Sequence, residues 1–123
     1  RYREVDTLLV REQIAIVNES ISAAGQHFDL QFEDYDFRFL ETNLPGAFQI
    51  SNAAIAVTLF LLWLRRTRPG EPSAKAEAAV RSGLRAARWP GRMEVIRQEP
   101  LTVIDVGHTP DGIRQSLKLL SKS

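Results

Sequence analysis

Apolar residues recur along this chain in two rhythms. Phe28, Leu30 and Phe32 alternate with polar residues, as do Tyr35, Phe37 and Phe39, and Glu33 and Asp34 separate the two runs. Period-two alternation across so short a break predicts a β-hairpin with one face of each strand turned inward. Upstream, Ile14, Val17, Ile21 and Ala24 fall at helical spacing with Gly25 as a stop, which predicts a helix over 11–24. A Leu/Val run within 4–10 predicts a strand before it. After a turn at Leu44-Pro45-Gly46, a long helix is expected over 49–66. Its middle, residues 53–64, is a 12-residue apolar run broken only by Thr58. It is apolar on nearly every side, as a core-crossing helix should be. A bilayer span needs ~20 such residues, so the expectation is a buried helix and no membrane segment.

The second half of the chain reads differently. Residues 67–72 (TRPGEP) form a Pro/Gly loop, and Ser73 opens an Ala-rich helix, with Glu77 close behind, that ends near Trp89-Pro90-Gly91. Met93, Val95 and Ile96 begin a strand. Residues 101–105 (LTVID) form another between Pro100 and Gly107, and Pro110 suits the first turn of a helix over 112–120. Strand, strand, tight loop and helix predict the opening of an α/β unit with a parallel or mixed sheet.

Composition narrows the chemistry. With no cysteine, disulfides, thiolate nucleophiles and Cys-based zinc sites are excluded. His27 and His108 stand too far apart in sequence to suggest a His-rich metal site. Sixteen Lys and Arg against fifteen Asp and Glu give a net charge of +1, which argues against a global grip on nucleic acid. The charge is uneven: residues 1–64 carry −5, 65–92 carry +6, and 93–123 are balanced, so a domain edge or cleft is expected near 65–92. No stretch resembles a signal peptide, and the expectation is a soluble, intracellular protein. Arg1 opens the chain without an initiator Met, and the helix at its other end lacks a surface for its apolar side. Both suggest a segment of a longer protein.

Four places could carry chemistry. In Asp105-Val106-Gly107-His108-Thr109-Pro110-Asp111-Gly112 an apolar strand ends in an acid, a small-residue loop follows, and a helix begins. Ligand crevices of open α/β sheets lie beyond the carboxyl ends of the strands. There Asp105 could accept from ribose hydroxyls and the helix start could favour phosphate; alternatively Asp105 caps a loop and Asp111 complements the helix dipole. Arg92, after a rigid Pro-Gly turn, could contact a phosphate or stack on a base, or be one of eight basic residues on a solvated face. Asn52, with Gln49 one turn before it, could read the edge of a base or serve as a helix N-cap. The basic stretch Arg65, Arg66, Arg68, Lys75, Arg81, Arg85 and Arg88 invites a nucleic-acid reading. It straddles a loop and lacks interleaved aromatics to stack bases, so a solvated helix face fits it better.

Taken in order, FQISNAA (48–54), WPGRMEVI (89–96) and IDVGHTPDG (104–112) resemble the folylpolyglutamate synthase and dihydrofolate synthase family, the folate branch of the Mur ligases. That family carries an Asn-Ala pair opening a long helix, a Pro-Gly-Arg leading into a strand, and Asp-x-x-His-Asn-Pro 13 residues after the Arg. Arg92 and Asp105 are 13 residues apart, and Asp105 and His108 three. The resemblance is carried by residues 44 to about 117. It implies an α/β fold in which 1–88 are the C-terminal part of a central ATP-binding domain. Residues 89–123 would then begin a Rossmann-like C-terminal domain. It also implies a cytoplasmic, ATP- and Mg2+-dependent ligase. Such an enzyme converts a folate or dihydropteroate carboxylate to an acyl phosphate, which the amine of glutamate attacks. By the same resemblance Asn52 contacts adenine, Arg92 reaches ATP across the interdomain cleft, Asp105 binds ribose, and His108 lies beside the nucleotide. Small-molecule substrates and the remainder of the parent chain are the implied partners, without nucleic acid or membrane. Thr109 departs from the family's usual Asn. No G-x-x-x-x-G-K-[ST] phosphate loop occurs, and the magnesium ligands are expected outside these residues, so the segment alone is expected to be inactive. The alternative is a non-catalytic nucleotide-binding or structural module derived from the same family.

Overall fold

The two alternating runs do form adjacent strands, and a third strand joins them. In a computed structural model, which describes Thr7, residues 10–22 and residues 25–121, a short helix α1 (Val10–Gln13) leads into β1 (Ile14–Ser22). β2 (Gly25–Phe32) and β3 (Tyr35–Thr42) follow, and the three strands make an antiparallel sheet in the order β1-β2-β3. Most of the expected strand within 4–10 lies outside the described residues.

The helix expected over 11–24 is instead β1. Its β-branched side chains Ile14, Ile16, Val17 and Ile21 suit a pleated surface, and pairing with β2 overrides a coincidental helical spacing. The coincidence has a cause. One extra residue between Val17 and Ser20 bulges β1 and resets its alternation. Ile14 is buried, while Val17 and Ile21 are exposed.

A second bulge lies in β3, where Phe28 pairs with Leu40 but Leu30 with Phe37. Both bulges close on one carboxylate. Asp29 accepts from Asn18 Nδ2 at 2.7 Å on one side and from the Phe39 backbone N–H at 2.7 Å on the other, with Arg38 Nη1 at 3.4 Å. Asn18 and Phe39 adopt φ of 54° and 51°. Phe39 is thereby turned outward to stack on His27 at 4.3 Å, and Leu40 fills the inward position.

Helices α2 (Ala47–Thr67) and α3 (Ser73–Ala86) cover the inner face of the sheet. Ile50, Ala54, Val57, Leu61 and Leu64 of α2 pack with Phe28, Leu30, Phe32, Phe37 and Leu40, and α3 adds Ala76, Val80 and Leu84. The Thr58 hydroxyl, buried among them, donates to the Ala54 carbonyl at 2.8 Å. α2 is not buried on all sides as its composition predicts, because Ile55, Leu59 and Trp63 form an exposed stripe. At 21 residues, α2 is long and apolar enough by length and composition to cross a membrane. Its sheet-facing side belongs to the core described above.

Three residues of the basic stretch reach the sheet or its β2–β3 turn. Arg65 pairs with Glu33, Arg85 with Glu41 at 2.8 Å, and Arg81 binds Glu77 and the carbonyls of Arg38 and Phe39. Beyond α3 come β4 (Glu94–Arg97), β5 (Thr102–Ile104) and α4 (Pro110–Leu120). β4 and β5 pair antiparallel as a separate two-stranded sheet.

Two measurements check this core. Phe28→Ala, at a fully buried position, should lower urea-unfolding stability by about 3–5 kcal/mol. The Phe39 N–H and Asn18 hold the Asp29 carboxyl below its ordinary value of 3.8. Its stabilisation is thus complete above that value and lost as pH falls through the lowered one. The Tm difference between wild type and Asp29→Asn should therefore be clear at neutral pH and shrink in acid.

Candidate functional site

The candidate site lies where the loop after α3 meets the loop after β5. Gly91 has φ +73°, a conformation that favours glycine, and a Cβ there would lie 3.1 Å from Val106 Cγ1. The two loops are joined by the Val106 N–H donating to the Gly91 carbonyl at 2.8 Å. The Gly91 N–H donates in turn to Glu94 Oε2 at 2.7 Å. This stitching brings Arg92 to Asp105, with Nη1 3.7 Å from Oδ1. The paired side chains are 30% and 16% exposed, so the pair is only partly screened by water.

Asp105 follows directly on β5 and is held from two further directions. Its Oδ1 accepts from the Gly107 N–H at 2.8 Å, and its Oδ2 accepts from the Ser116 hydroxyl of α4. The Ser116 hydrogen bond, helped by the Gly107 N–H and the Arg92 charge, keeps its carboxyl below the ordinary carboxylate range against the opposing effect of burial. Asp105 is therefore an ionised acceptor at neutral pH.

Arg92 is oriented on its other side by α2. Its guanidinium carbon lies 5.4 Å from the centre of the Phe48 ring, a cation–π arrangement worth ~0.5–1 kcal/mol at an exposed site. Asn52 lies one turn further along α2, exposed, with its Nδ2 donating to Gln49 Oε1 at 3.1 Å. It is not the N-cap: α2 begins at Ala47 with Gly46 in that position, so Asn52 sits within the helix. His108 is exposed and free of hydrogen bonds and ion pairs among the described residues. Thr109, the departure from the family pattern, caps α4: its Oγ1 accepts from the Gly112 N–H at 3.1 Å. Asn performs that task equally well.

Of the four sequence-derived residues, the structure brings Arg92 and Asp105 together. Asn52 stands on the helix that carries Phe48, and His108 lies three residues beyond Asp105. Two neighbours escaped the sequence reading. Phe48 lay inside a quoted motif without a role. Ser116 could have been found from its place one helical turn after Gly112, on the side of α4 facing the strand end. Chemically, a guanidinium and an ionised carboxylate at a strand's carboxyl end suit a ligand bearing both an anionic group and hydroxyls.

With this geometry in place, likeness to known proteins decides the family. The dihydrofolate synthase/folylpolyglutamate synthase of Bacillus subtilis is 31% identical over 106 residues, covering 86% of this chain and 24% of that protein. The chain belongs to the folylpolyglutamate synthase/dihydrofolate synthase family. Folylpolyglutamate synthase of Lacticaseibacillus casei is 36% identical over 99 residues, covering 80% of the chain and 22% of the enzyme. A folylpolyglutamate synthase structure in complex with AMPPCP and folate superposes with a TM-score of 0.76 at 31% identity, over 89% of this chain and 26% of that one. No family model matches the chain. The chain spans about a quarter of the length of these relatives. Their α/β fold is the fold class the motifs implied.

The loop stitching has a direct test. Gly91→Ala forces an unfavourable positive φ on a residue with a Cβ, costing about 1–2 kcal/mol. It should lower Tm and speed amide exchange at Val106, while exchange at Phe39 stays unchanged.

Proposed function

We propose that the chain is part of an ATP-dependent ligase that joins glutamate to the carboxylate of a folate or of dihydropteroate through an acyl phosphate. In this reading residues 1–88 are the C-terminal part of a central ATP-binding domain, residues 89–123 begin a Rossmann-like C-terminal domain, and the enzyme is cytoplasmic. The observation that carries the reading is the Arg92–Asp105 pair at 3.7 Å, formed by residues 13 apart in the family's register. Family membership and the likeness to a complex holding AMPPCP and folate support it.

The roles follow from chemistry. Ionised Asp105 accepts from the ribose hydroxyls, and Arg92, steered by Phe48, neutralises phosphate charge. Asn52 offers an amide to the adenine edge, and His108 lies beside the nucleotide. Phosphoryl transfer depends on positioning and charge stabilisation, so an arginine carried on the loop between two layers couples transfer to their closure. Among the described residues no group of three or more His, Asp or Glu could hold a metal ion. In this proposal, as the resemblance implies, Mg2+ is bound by residues outside the segment, and the segment alone is inactive.

The deciding experiment is ADP release by the full-length protein with ATP and magnesium, adding glutamate and a pterin substrate singly and together. Release that requires both supports the ligase, and the preferred pterin names the activity. Nucleotide binding without release under any combination would replace it with a non-catalytic nucleotide-binding module. Within the ligase, Arg92→Ala and Asp105→Ala should each raise KM for ATP or lower kcat by about tenfold or more, the scale of a lost charge-assisted contact. Wild-type kinetics from both would remove these residues from the site.

A further inference from the structure

Ser116 stands mid-helix, where a serine hydroxyl ordinarily turns back to the carbonyl four residues earlier. That carbonyl, Gly112 O, is within reach at 3.1 Å, yet the same hydroxyl also contacts Asp105 Oδ2. One proton cannot serve both acceptors, and an ionised carboxylate is the stronger of the two. The hydroxyl therefore links α4 to the end of β5. Apolar packing supplies little of that link, since Ile113 and Leu117 of α4 are both exposed. The contact also fixes the plane of the carboxylate. Of about four acceptor positions on an ionised carboxyl, Ser116 takes one on Oδ2, while the Gly107 N–H and Arg92 share Oδ1. Among the described residues nothing takes the second lone pair of Oδ2, which can meet a ligand.

We propose that Ser116 is the positioning residue of Asp105, holding Oδ2 so that the carboxylate meets a ribose hydroxyl without first reorienting. This inference rests on the nucleotide-contacting reading of Asp105. Arg92 is the charged group facing Asp105 among the described residues, and the uncharged donors are Ser116 and the Gly107 N–H. Removing the serine donor thus leaves a single, well-defined set of groups acting on the carboxylate.

The test is calorimetric binding of AMPPCP to the full-length protein and its Ser116→Ala, Ser116→Thr and Asp105→Ala variants, each measured from neutral pH down through the ordinary carboxylate range. Alanine favours the helix, so Ser116→Ala should fold, and circular dichroism checks that it does. Its AMPPCP affinity should fall about 3- to 10-fold at neutral pH. Its loss of affinity in acid should also begin at higher pH than in wild type, because a carboxylate without its donor takes up a proton sooner. Ser116→Thr, which keeps the hydroxyl, should restore both. If Asp105→Ala weakens binding while Ser116→Ala changes neither affinity nor pH dependence, the positioning role is overturned and the nucleotide reading stands. A Ser116→Ala variant with lower Tm alone likewise overturns it, leaving the contact a helix tie. If Asp105→Ala leaves AMPPCP binding unchanged, the nucleotide reading of Asp105 falls and this inference with it.

Discussion

The packing of α2 against the sheet governs where everything else can sit. Ile50, Ala54 and Leu61 are fully buried against Phe28, Leu30 and Leu40, and each large apolar side chain so buried contributes roughly 1.5–3 kcal/mol. A helix anchored along that length cannot shift without opening the core. Gly46 sets its starting point: its φ of 109° lets the chain turn, and any Cβ there would strike the Phe48 ring. Phe48 is carried in the first turn of the helix that this packing anchors, and Arg92 is steered by Phe48. Positioning at the candidate site is inherited from the hydrophobic core.

The legible parts of the fold were those in which local pattern and tertiary environment agree. The hairpin of β2 and β3 was visible because Phe28, Leu30, Phe32 and Phe37 alternate and all face one buried layer. β1 was not, because its bulge breaks the alternation and leaves apolar residues at intervals that imitate a helix. Phe39 misled in the same way: it continues the period of Tyr35 and Phe37 but lies beyond the bulge, so Leu40 takes the inner place. For α2, composition gave the length but not the orientation, and the exposed Ile55, Leu59 and Trp63 cannot be told from their buried neighbours by residue type.

At the candidate site, Arg92 and Asp105 stood out because a Pro-Gly turn and a strand-ending acid are local signals, which the resemblance joined into one register. What it could not supply is the support around them, since the ring under Arg92 and the hydroxyl on Asp105 come from elements distant in sequence. The charge blocks show a related effect. The acidic first half and basic stretch suggested a boundary, yet Glu33 meets Arg65 and Glu41 meets Arg85 across the sheet–helix interface. Such pairs are individually weak, ~0.2–1 kcal/mol when exposed. They use the sign difference internally to set α2 and α3 against the sheet edges.

The two bulges sharing Asp29 constrain how this sequence can drift. A bulge alone can be lost or moved at modest cost. Here one carboxylate satisfies donors from both neighbouring strands, so replacing it leaves the Asn18 amide and the Phe39 N–H wanting an acceptor at once. Changes at Asn18, Asp29 and the residue count of β3 are therefore not independent. A viable path replaces them as a set, and the inward turn of Leu40 moves with them.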